Sequence, residues 1–173
     1  MYACGDTVVY RHHVCEVAAL RENYFEGKDY LELRALFENS LKLFVAVDEA
    51  TPDNLRPIMS KRAALALIDS IVDADTIDEN ALKPDAPTPT LLERRMKEEY
   101  DKRLRTFAPE DLVPIMKSVH ERTARRTGAG RQITATDKKY FDLAEGLLCD
   151  ELAVSLAVPR ENVKDVLVER VKR

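Results

Sequence analysis

Four residues of metal-binding or nucleophilic type fall within the first fifteen of this chain: Cys4, His12, His13 and Cys15. Tetrahedral zinc prefers ligands paired in knuckles such as Cys-x2-Cys or His-x3-His, and this spacing has neither. On a strand, alternation sends His12 and His13 to opposite faces. A Cys–His nucleophile pair needs a third group to orient the base, and none is in view. The four read as two turn histidines and two buried thiols. His120, between Lys117 and Glu121 in a helical stretch, reads as a surface residue. The chain has no phosphate loop, no Gly-x-Ser-x-Gly, no Cys-x-x-Cys and no His-Glu-x-x-His, and its five glycines form no cradle. With no convergent acid, base and nucleophile to name, the expectation is a protein without enzymatic activity, metal, cofactor or small-molecule substrate.

Binding chemistry has a clearer candidate. Pro87-Thr88-Pro89-Thr90-Leu91-Leu92-Glu93-Arg94-Arg95-Met96-Lys97 joins a rigid proline spacer to a helix start. Helix N-termini favour anions. Arg94, Arg95 and Lys97 are spaced to hold successive phosphates of one DNA strand. The competing reading is a solvated basic face, partly neutralised by Glu93, Glu98 and Glu99.

Two kinds of element carry these residues. Residues 1–58 show strand patterns at Thr7–Tyr10, Val14–Leu20, Tyr30–Leu36 and Leu41–Val47, with Leu55–Met59 as a fifth. Asn23–Gly27 and Glu38–Ser40 are the hairpin tips. Five short strands in so few residues predict a Tudor- or SH3-like barrel. From Ser60 the apolar period becomes about 3.6. Ser60 caps a predicted helix to Val72, with Ala64, Leu65, Ile68 and Val72 as its stripe. Asp73–Asn80 breaks the pattern, and Lys83–Pro89 is a proline linker. Thr90 is the expected cap of a helix to Thr106, with Leu92, Met96, Tyr100, Leu104 and Phe107 on one face. Further helices are predicted from Asp111 to Arg126, with Pro114 in the first turn, from a Thr134–Asp137 capping box to Leu156, and from Arg160 to Lys172. The fold class is therefore α+β: a small five-stranded barrel over residues 1–59, then an all-α helical bundle over 60–173.

The 173 residues suffice for one large domain or two small ones. No apolar run approaches the ~20 residues of a membrane span, and the start lacks the basic and apolar pattern of a secretory signal. Three widely spaced cysteines suit reduced thiols in a cytoplasmic protein. The net charge of −4 argues against indiscriminate DNA binding. Charge is uneven, however. Residues 1–83 hold 9 basic and 15 acidic side chains, whereas 94–131 hold 11 basic against 6 acidic. The middle of the chain permits local phosphate contacts.

The opening Gly5-Asp6-Thr7-Val8-Val9-Tyr10-Arg11-His12-His13-Val14-Cys15-Glu16-Val17 resembles the first strands of CarD/CdnL-like transcription regulators, a module shared with transcription-repair coupling factors. Arg11 stands where that family tends to have Pro, and Val14 where it has Gly. Leu55-Arg56-Pro57-Ile58 is similar to the family's barrel exit. Pro89-Thr90-Leu91-Leu92-Glu93-Arg94-Arg95-Met96-Lys97 keeps the frame of its Pro-Thr-x-Trp-x-Arg-Arg-x-Lys stretch, with Leu92 in place of the Trp. The resemblance covers most of the chain through the order of its parts.

It implies a bacterial regulator of transcription initiation whose barrel binds the RNA polymerase β subunit through an edge strand. By position that strand is Leu41–Ala46, which makes Leu43, Phe44 and Val45 the polymerase-binding candidates, with Arg21 a second contact. Phe44 stands where the family often has a basic residue, and reads either as an anchor or as core. The resemblance further implies that Leu92 wedges into the minor groove of promoter DNA while Arg94, Arg95 and Lys97 grip the backbone. Leu92 also starts an apolar stripe; if it is core, Leu91 is the exposed candidate. The alternative from another class is an adaptor with a partner-binding barrel and no DNA contact.

Overall fold

The structure, a computed structural model, describes residues 2–171. It divides into two compact units: Met1–Ala64 with Asp150–Val163, and Leu65–Cys149 with Lys164–Arg173.

The first unit is built on an antiparallel five-stranded sheet in the order β4-β3-β2-β1-β5. The strands are β1 (Thr7–Tyr10), β2 (His13–Phe25), β3 (Lys28–Ala35), β4 (Lys42–Ala46) and β5 (Leu55–Pro57). Alternation puts Val8, Cys15, Val17, Leu31, Leu33, Val45 and Leu55 into one core. β4 and β5 are the edges, and among the described residues no ladder joins them, so the sheet is open. β2 runs well past the expected Leu20. Register shifts between Val17 and Ala19 and between Arg21 and Phe25 let it bend and continue. The hairpin tip shrinks accordingly from Asn23–Gly27 to Glu26-Gly27. Both tip residues have positive φ (51° and 72°), as a two-residue loop matched to strand twist requires.

The β1–β2 turn departs from a proline-based one. Arg11 has φ 56° and donates its N–H to the Asn54 carbonyl at 2.6 Å. Proline can supply neither feature. Arg11→Pro is therefore expected to destabilise the protein by more than about 1 kcal/mol in urea unfolding; an unchanged midpoint would contradict this turn geometry.

The first unit takes in the C-terminal end of a long helix as well as the sheet. Arg56 of β5 forms a two-pronged ion pair with Glu151, at 2.6 and 2.7 Å, and the Met59 N–H donates to the same carboxylate. Glu151 is buried.

Among the described residues six α-helices follow the sheet in sequence: α1 (Lys61–Ser70), α2 (Glu79–Leu82), α3 (Pro89–Leu104), α4 (Leu112–Gly128), α5 (Ala135–Leu156) and α6 (Val163–Val171). α1 stops two residues early, and Val72 leaves the expected stripe for solvent. The acidic break contains α2, which starts because the Asp78 side chain accepts the Asn80 N–H. The proline linker is not a free spacer: Lys83–Asp85 forms a 3-10 turn and Ala86 is buried. Pro114 lies in the first turn of α4, where its missing N–H costs nothing. α5 matches its expected end at Leu156, but Leu143 is exposed rather than part of the buried stripe. A 3-10 turn over Arg160–Asn162 precedes α6, whose expected end at Lys172 lies outside the described residues. No helix among the described residues is long and apolar enough to cross a membrane.

Candidate nucleic-acid interface

α3 begins two residues earlier than a Thr90 cap predicts. The cap is Thr88, whose Oγ1 accepts the Leu91 N–H at 3.3 Å, and Pro89 takes the first helical position. Two adjacent Pro-Thr pairs offer two caps. The chosen one places both prolines where neither disrupts a helical hydrogen bond.

Helical spacing sets which leucine shares a face with the cations. Leu91, Arg94, Arg95 and Glu98 follow i, i+3, i+4, i+7 spacing and line one side of α3. Leu91 is 41% exposed, and the Arg94 and Arg95 side chains are more exposed still. Lys97, one turn after Arg94, is also exposed. Leu92 turns to a different side with Glu93 and lines a cleft; it is half-buried, neither core nor free. Met96 and Tyr100 form the buried stripe. Leu91 is thus the apolar side chain presented beside the arginines.

Arg94 and Arg95 both reach Glu98, at 3.1 and 3.0 Å. The hydrogen bond from Arg95, then that from Arg94, holds the Glu98 carboxyl below its usual range. Exposed pairs of this kind contribute little to stability. A phosphate can therefore take the guanidiniums from Glu98 at small cost.

A buried network in the second unit fixes the pose of α3. Asp137, fully buried at the start of α5, accepts the Tyr100 hydroxyl at 2.9 Å and Arg122 Nε at 3.1 Å. Arg122 of α4 also pairs with Glu93 of α3, and its Nη1 stands 3.3 Å from Glu79 of α2. One guanidinium thus ties four helices together. Burial first, then the Asp137 charge, pushes the Tyr100 phenol above its usual range, so it stays a donor. The expected capping box is half made. Thr134 Oγ1 accepts the Asp137 N–H, but the Asp137 carboxylate serves Tyr100 and Arg122 instead of the cap. Arg122 was not foreseen; its only sequence signal is an arginine on the apolar side of an amphipathic helix.

In the first unit the four β-side candidates separate. Val45 is 3% exposed and Leu43 packs against the same core, so neither presents a side chain. Phe44, between them on edge strand β4, faces outward and is 41% exposed. It stacks on Tyr24 at 5.1 Å with an interplanar angle of 6°, and Tyr24 meets Tyr30 edge-on at 5.8 Å. Arg21 borders this aromatic face through its ion pair to Glu32 at 2.6 Å. Lys42 reaches the same carboxylate at 3.5 Å. Tyr24 escaped sequence reading because it was assigned to a hairpin tip.

Cys15 is buried, and burial followed by the nearby Glu38 pushes its thiol up to about 11. His13 is paired with Glu38, and Cys4 donates to the Ala18 carbonyl. Among the described residues, no group of three or more His, Cys, Asp or Glu side chains is placed to hold a metal ion. No family model matches this chain, and no curated protein sequence matches it.

Proposed function

We propose that the chain is a CarD/CdnL-like regulator of transcription initiation. In this reading the sheet of the first unit is a Tudor- or SH3-like barrel that docks on the RNA polymerase β subunit. Phe44, Tyr24 and Arg21 supply the contacts, and the free edge of β4 offers unpaired backbone groups to a partner strand. The second unit is a helical domain that touches promoter DNA.

The observation that carries the proposal is the face of α3, where an exposed leucine stands one turn before two exposed arginines. An apolar wedge that unstacks a base step needs adjacent cations on the backbone to repay it, and Leu91 with Arg94, Arg95 and Lys97 has that composition. In this role Leu91 replaces Leu92 as the wedge. The mechanism is a population shift. Contacts available only on melted, bent DNA favour the open promoter complex over the closed one.

The test is salt-dependent binding of the full chain to a forked promoter. Arg94→Ala with Arg95→Ala should lower the log–log salt slope by about 1.4 to 1.8, the share of two phosphates. An unchanged slope would favour an adaptor that makes no DNA contact.

A further inference from the structure

A second cationic feature lies on the other side of α3. The cleft lined by Leu92 has a volume of about 410 Å³, within the range of small-ligand sites. Ala86, Pro87 and Pro89 form an apolar wall beside it. Lys83, Arg122, Arg125, Arg126 and Arg131 bring five cations to the lining, against the carboxylates of Glu79 and Glu93. Even with Asp137 counted behind Arg122, positive charge is in excess.

Arg125 is paired with Glu79, but the other cations are not neutralised by their existing partners. Arg122 is 4% exposed, yet among the described residues its Nη1 has no hydrogen-bond partner and meets Glu79 only as an ion pair at 3.3 Å. Arg126 Nε donates to the Gln132 carbonyl, a neutral group. Lys83 donates to the Asn80 amide oxygen, again neutral. The Arg131 side chain has no ion-pair partner among the described residues. The start of α3, at Thr88 and Pro89, adds its positive end to the same wall.

We propose that this cleft is a binding site for phosphate groups. A lone carboxylate would engage one guanidinium fork; an excess of several cations, mostly arginine, suits a multiply charged anion with many acceptor oxygens. The apolar wall leaves room for the base or sugar that carries the phosphate. Two sources share this chemistry: a free nucleoside polyphosphate, or the backbone of a nucleic-acid strand. The site stands apart from the Leu91 face and does not depend on the promoter reading.

Calorimetric titration of the full chain with inorganic pyrophosphate, without divalent metal, tests it. Saturable binding is expected. Arg126→Ala with Arg131→Ala should weaken it at least tenfold, because both side chains lie outside the buried Asp137 network and their loss leaves the fold intact. Arg94→Ala with Arg95→Ala should leave it unchanged. Repeating the forked-DNA titration with pyrophosphate separates the sources: competition identifies the strand backbone, and independent binding identifies a free nucleotide anion. The proposal is overturned if pyrophosphate gives no saturable binding. It is equally overturned if pyrophosphate binds and the variant binds it as well as the parent does.

Discussion

Asp137→Ala should destabilise the protein by about 3 kcal/mol in urea unfolding, the low end for breaking a buried ion pair. The variant strips Arg122 Nε of its partner and leaves the Tyr100 hydroxyl buried without an acceptor. Glu93 and Glu79 still face Arg122, which keeps the cost from the top of the range. Against a typical total of about 5–15 kcal/mol the loss is large. The midpoint should fall at constant slope, since the same surface is exposed on unfolding. Tyr100→Phe removes one hydrogen bond and should cost about 1–3 kcal/mol. If Asp137→Ala cost under about 1 kcal/mol, the network would not be what positions α3.

Phe44→Asp should lower the affinity for the polymerase β subunit about thirty-fold, the scale of losing a 2 kcal/mol aromatic anchor. The exposed ring contributes to folding mainly through its stack on Tyr24, so stability should change by no more than about 1.5 kcal/mol. That separation of binding from stability is what distinguishes a docking residue from a core residue. Val45→Asp, by contrast, places a charge in the core of the sheet and should fail by unfolding. Unaltered polymerase affinity in Phe44→Asp would remove the aromatic face from the interface.

Much of this was legible in the chain itself, for physical reasons that differ from element to element. Period-2 alternation at Leu31 and Leu33 marks a buried strand face, because one face of an open sheet packs on the core. Period-3.6 spacing of Met96 and Tyr100 identified the buried side of α3. Boundaries failed where two local solutions compete: Thr88 and Thr90 both cap, and β2 survives two bulges that break its alternation. The placement of Leu91 beside Arg94 and Arg95 follows from i, i+3, i+4 spacing within the helix, whichever threonine caps it. The arginine cleft was invisible because its cations come from the linker, α4 and the loop after it. Only the count of 11 basic against 6 acidic residues over 94–131 hinted at it. Asp137 looked like a capping residue because its partners, Tyr100 and Arg122, lie 37 and 15 residues away.

The account rests on two surfaces with separate tasks, one for polymerase and one for melted DNA. The lifetime of a polymerase–promoter open complex, measured after competitor challenge with the full chain present, tests that most directly. The parent chain should lengthen it, and both Phe44→Asp and Arg94→Ala with Arg95→Ala should return it toward the value without the chain. A lifetime that the parent does not change, or that both variants extend as much as the parent, would contradict it.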